Sequence, residues 1–140
     1  MAIETRPYGP ESSPAERLEL RDRVWEVEDA LFMLVEVPVQ TPFTLDVMFD
    51  RLEELAAGLN RFAYVVELSS VRRPDARTRE RLRQRVARIN PRLAHVSVVV
   101  GANAVIRAVA KLAAFAVGFR SISFHGTIND ALEACRRALR

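Results

Sequence analysis

The chain has 140 residues, 49% apolar and 28% charged, a balance that suits one soluble domain with its own hydrophobic core. No apolar run reaches the roughly 18–20 residues of a membrane-spanning helix, and the first ten residues lack the apolar centre of a secretion signal, so a cytoplasmic protein is expected. A single cysteine, Cys135, excludes an internal disulfide, and with only two distant histidines it leaves no metal-ligand cluster and no expected cofactor.

In chain order, residues 1–14 hold three prolines and a Ser-Ser pair and too little apolar surface to order themselves. Residues 1–22 are therefore expected as a flexible tail, with at most a helical turn over 15–22, and the folded domain as 23–140. Two strands follow, 23–28 and the more apolar 31–38. The Asp29-Ala30 turn between them marks a hairpin. A helix is predicted over 45–59 with Thr44 as its N-cap, because Leu45, Met48, Phe49, Leu52, Leu55, Ala56 and Leu59 recur at helical spacing. The apolar density of 62–68 predicts a central parallel strand. A second helix is predicted from Pro74, where a missing N–H costs nothing, to Asn90, where Pro91 stops it. A strand over 93–101 precedes an Ala/Val-rich helix over 104–117, with Asn103 as a candidate N-cap. A strand over 119–124 and a helix opened by Thr127-Ile-Asn-Asp130 complete the chain. The order ββαβαβαβα describes an α/β sandwich with about five strands in a mixed sheet and about four helices.

Charge is concentrated in the second helix. Residues 72–92 carry nine arginines against Asp75 and Glu80, a local charge of +7, which leaves −4 for the rest of a chain whose net charge is +3. Arg77, Arg81, Arg85, Arg88 and Arg92 recur every three or four residues and share one helix face. Such a face would attract an acidic protein, anionic lipid or nucleic acid, or be simply solvated. No aromatic residue interleaves the arginines to stack bases, which puts nucleic acid last. The helix over 104–117 is apolar nearly all round. Ile106, Arg107, Ala110, Lys111 and Phe115 are its candidate contacts to lipid or to a second copy in a homodimer, unless the helix is buried within its own domain.

No catalytic set emerges. His95 lies in a strand and His125 in a loop, each without a spaced carboxylate or cysteine partner. Ser69 and Ser70 end a strand but stand in no Gly-x-Ser-x-Gly elbow. Gly101 before a helix is a weak anion-site signal, and Cys135 falls on the apolar side of the last helix as a core residue.

The element order and the segment Val65-Val-Glu-Leu-Ser-Ser-Val-Arg-Arg-Pro-Asp75 resemble STAS domains, the fold of bacterial anti-sigma-factor antagonists. The SpoIIAA-like branch, related to the lipid-binding Sec14 fold, is the nearer likeness, over roughly residues 23–140. The resemblance implies a non-catalytic regulatory module that meets a protein partner where the third strand enters the second helix. Arg73, Asp75, Arg77, Arg81, Arg85 and Arg88 are then the expected partner-binding residues, and an acidic protein the expected partner. Phosphorylated antagonists carry Asp-Ser-Ser-Gly there, and the second serine accepts phosphate. The matching residues here are Asp75-Ala76-Arg77-Thr78, with Arg77 at the acceptor position, so a serine-phosphate switch is not expected. The alternative is a lipid- or small-molecule-binding module of the Sec14 kind working through 104–117, with peripheral membrane contact.

Overall fold

The computed structural model describes residues 8–101 and 118–140. Strands β1 (Val24–Glu28) and β2 (Leu31–Val35) form the expected antiparallel hairpin, turned at Ala30 with a left-handed φ of 62°. Strands β3 (Phe62–Glu67), β4 (Leu93–Val99) and β5 (Ile122–His125) then add in parallel, in the order β1-β2-β3-β4-β5. The sheet is mixed and five-stranded, with β3 at its centre. Its inner strands read as continuous apolar runs because both faces are covered. Phe32, Leu34, Phe62, Tyr64, Val66, Val96 and Val98 point to one face, and Leu31, Met33, Ala63, Val65 and Val99 to the other.

Four helices lie among the described residues: α1 (Pro14–Arg21), α2 (Pro42–Leu55), α3 (Ala76–Ile89) and α4 (Ile128–Leu139). Leu20 of α1, Leu45, Met48, Phe49 and Leu52 of α2, and Val86 and Ile89 of α3 fill the first face. Ala131 and Cys135 of α4 fill the second. Thr127 caps α4 as expected, accepting the Asp130 N–H at 3.2 Å. The helix predicted over 104–117, with its Asn103 cap, lies outside the described residues.

Several boundaries differ from expectation: β2 stops at Val35, α2 stops at Leu55, β5 starts at Ile122 and takes in His125, and three helix starts move. The N-cap of α2 is Thr41, not Thr44: each threonine hydroxyl accepts the other's backbone N–H, at 3.1 and 2.9 Å, and Pro42 occupies the first helical position. The N-cap of α3 is Asp75, whose carboxylate accepts the Thr78 N–H at 2.8 Å, so Pro74 sits just outside the helix. Residues 14–21, expected within a tail, form α1. Ser13 and Glu16 make a reciprocal capping box, Arg21 pairs with Glu54 of α2 at 2.9 Å, and Leu20 is fully buried in the core shared with α2. Sparse apolar content hid this helix, because one well-placed leucine and a full cap order a segment whose average composition is polar.

Leu20→Ala is expected to lower unfolding free energy by about 2–4 kcal/mol. Urea denaturation checks it; a shift within about 0.5 kcal/mol, ordinary for a surface site, would return residues 14–21 to the status of a tail.

Candidate functional site

The third strand leaves the sheet through a loop held by its own backbone. The Glu67 carboxylate accepts the Ser69 N–H at 2.7 Å, the Val71 N–H donates to the Leu68 carbonyl at 3.0 Å, and the Arg72 N–H donates to the Pro38 carbonyl at 2.9 Å. Asp75 then starts α3. Arg72 and Arg73 on this turn and Arg77 in the first turn of α3 are all exposed and make no side-chain hydrogen bond or ion pair among the described residues. Glu67 and Ser69 of the same turn, with Val35, Val99, Thr127 and Ile128, line an open cleft of about 540 Å³ at the carboxyl ends of the strands. Ligands in α/β sheets gather at that end.

The other arginines of the 72–92 segment are engaged within the protein. Arg85 is only 3% exposed. Its guanidinium meets Asp46 at 3.2 Å, Asp50 at 2.8 Å and Glu53, and stacks over Phe49. Arg81 makes a two-bond fork with Asp46 at 2.8 and 3.0 Å, and Arg88 pairs with Glu53 at 3.1 Å. Arg83 pairs with Glu80 on its own helix, and Arg79 donates to the Pro74 carbonyl. Arg92 donates to the carbonyls of Ala56 and Leu59 and covers the Phe62 ring.

The arginine face predicted from spacing is thus real as a face: Arg85 is buried against α2, Arg81 and Arg88 pair with α2 at its solvent edge, and Arg77 is exposed. Of the expected partner-binding residues, Arg73 and Arg77 stand free at the junction and Asp75 is the helix cap. Arg85 is corrected to a structural role, because its buried guanidinium cannot meet a partner without breaking the α2–α3 seam; Arg81 and Arg88 are paired with α2 while their side chains stay 40% and 64% exposed. Arg72 joins the site, because its backbone bond to Pro38 fixes it beside Arg73. The sequence held the signal in the acids of α2: Asp46, Asp50 and Glu53 are spaced by four and three, so they form a row facing the arginine row. Ile106, Arg107, Ala110, Lys111 and Phe115 lie outside the described residues.

Other titratable groups are buried. Glu36 is 4% exposed, and burial pushes its carboxyl up to about 7 against the opposing pull of Gln40, the Val37 backbone and Arg23. His95 is held by two hydroxyls, Nδ1 to Ser121 Oγ and Nε2 to Ser123 Oγ, each at 2.7 Å; burial first, then the charge of His125, lowers its pKa. The Cys135 Sγ lies 3.2 Å from Ser97 Oγ in the core, and burial pushes its thiol up, away from the reactive thiolate. Among the described residues no group of three or more His, Cys, Asp or Glu could hold a metal ion, and no helix is long and apolar enough to cross a membrane.

No protein-family model and no curated protein matches the chain. A similar solved structure is that of an uncharacterized protein of the DUF3478 family from Shewanella loihica PV-4, which has a SpoIIAA-like fold. The two share 12% identity with a TM-score of 0.65, over 80% of this chain and 90% of that one. At that identity the likeness establishes the fold.

The two classes of arginine separate experimentally. Arg85→Gln leaves three carboxylates facing one another and is expected to cost about 3–5 kcal/mol in unfolding free energy. Arg77→Gln should stay within about 0.5 kcal/mol. Chemical denaturation of both variants checks the contrast; equal effects would contradict the division.

Proposed function

From the SpoIIAA-like fold and this charge distribution, we propose that the protein is a non-catalytic regulatory module that binds an acidic protein at the β3–α3 junction. The observation that carries the reading is the trio Arg72, Arg73 and Arg77: exposed, unpaired among the described residues, and mounted on a turn fixed by backbone bonds. Arginines held this way steer an anionic partner in and pair with its carboxylates through planar two-bond contacts. The turn is set before binding, so little ordering entropy is lost on contact beyond that of the three side chains. Control by phosphate at this turn is disfavoured on two grounds. Arg77 stands at the position the resemblance assigns to the acceptor, and the Thr78 hydroxyl beside it is buried, with the residue 1% exposed, beyond a kinase's reach in the folded state.

The test compares three proteins for a partner recovered by affinity enrichment and then purified. Wild type and Arg88→Glu are expected to bind it equally. Replacing Arg72, Arg73 and Arg77 together by Glu should abolish binding, and wild-type affinity should fall about tenfold or more as salt rises from about 0.05 to about 0.3 M. Binding that survives the triple replacement, or that ignores salt, removes this reading.

A further inference from the structure

The two histidines, distant in the sequence, meet in the fold across a single hydroxyl. Strands β4 and β5 lie side by side in parallel, with Ser97 beside Ser123 and Val99 beside His125. Ile122 and Phe124 pack on the first face of the sheet, so Ser121, Ser123 and His125 alternate onto the second. His95 alternates with Val96 in the same sense and lies on that face too. The result is a polar chain along the β5 edge. Ser121 Oγ meets His95 Nδ1 at 2.7 Å, His95 Nε2 meets Ser123 Oγ at 2.7 Å, and Ser123 Oγ meets His125 Nε2 at 2.6 Å.

One hydroxyl proton cannot serve two imidazole nitrogens. Ser123 can donate to one Nε2 only, so the other must carry its own proton and donate to the Ser123 oxygen. When both rings hold their proton on Nδ1 instead, two nitrogen lone pairs converge on one point, which is the arrangement a metal ion needs. Ser121 prepares His95 for that state, because its oxygen can accept from Nδ1–H and leave Nε2 as the ligand atom. A zinc–imidazole bond is roughly 2.0–2.1 Å long, so each ring has to draw in by only about 0.6 Å toward the point where Ser123 Oγ now sits. His95 is 8% exposed and fixed by both nitrogens, whereas Ser123 and His125 are half-buried on the last strand of the sheet, within reach of water.

We propose that His95 and His125 form a two-histidine site for a divalent transition-metal ion of the zinc or copper type, with the Ser123 hydroxyl turned aside and water completing the coordination. Imidazole donors suit these ions, and the absence of a carboxylate from the chain of side chains disfavours calcium and magnesium. Two protein ligands make an exchangeable site; a structural zinc site takes four. Occupancy pins the end of β5 to β4, directly before the Gly126–Thr127 wall of the cleft. The site is separate from the arginine turn and independent of the docking function.

The experiment needs no partner. In the full chain labelled with nitrogen-15, the ring nitrogens of both histidines are followed as zinc chloride is added at about pH 7.5, above the ordinary imidazole range. The expected result is that both Nε2 signals move together, saturate at one equivalent and return when EDTA is added. His125→Gln should abolish the response of His95. Ser123→Ala should bind zinc at least as tightly as wild type, because the hydroxyl that must turn aside is gone. Zinc that moves neither Nε2, or only one, overturns the site. So does a His95 response that persists in His125→Gln, or weaker binding by Ser123→Ala. The wild-type titration decides the matter even if a variant folds poorly.

Discussion

The guanidinium of Arg85, set among Asp46, Asp50 and Glu53, is the contact on which the position of α3 depends. Only Val86 and Ile89 of that helix are buried apolar residues, a stripe too narrow to hold fourteen residues against the sheet by area alone. The seam with α2 is ionic instead. A fully buried ion pair gains little, since desolvation offsets attraction. Here the arrangement is lopsided in a useful way: the Arg85 side chain is dry, while the carboxylates remain partly in water and lose less hydration.

The same seam explains why the arginines without an ion-pair partner among the described residues lie at the N-terminal end of α3. Arg81 meets Asp46 and Arg88 meets Glu53, both at a separation of 35 residues, so the two helices run in register. Carried back one turn, that offset sets Arg77 against Pro42, at the start of α2, where no acid is available. Arg77 therefore has no ion-pair partner on α2, its charge acting instead on the cap carboxylate of Asp75, and Arg72 and Arg73 lie before the helix.

Much of this architecture could be read directly. Uninterrupted apolar runs over 31–35 and 62–66, and a largely apolar 93–99 broken by His95 and Ser97, identify strands covered on both faces, and the Asp29-Ala30 turn identifies the hairpin. Cap assignments were harder by one to three residues, because Thr41 and Thr44, like Pro74 and Asp75, are near neighbours each chemically fit to start a helix. Only the bond actually made decides between them. The functional face was legible in position but not in availability. Helical spacing shows which arginines point together, but not what they point at. That answer depends on α2 and α3 being neighbours, which is a property of strand order. Leu20 and Glu36 escaped for the related reason that burial of a single residue in a polar stretch is decided by long-range packing.

Strand order also explains why the arginine turn sits beside the exit of β2, at the strand ends that line the open cleft. From β2 to β4 the strands advance in one direction across the sheet, so right-handed crossovers place α2 and α3 on the same face. A doubly wound sheet reverses its order, and the reversal parts two loops and opens a cleft at the carboxyl ends. Along β2, β3 and β4 there is no reversal, and the exits of neighbouring strands lie side by side. The connection leaving β2 and the turn leaving β3 are consequently in contact, joined by the Pro38–Arg72 bond.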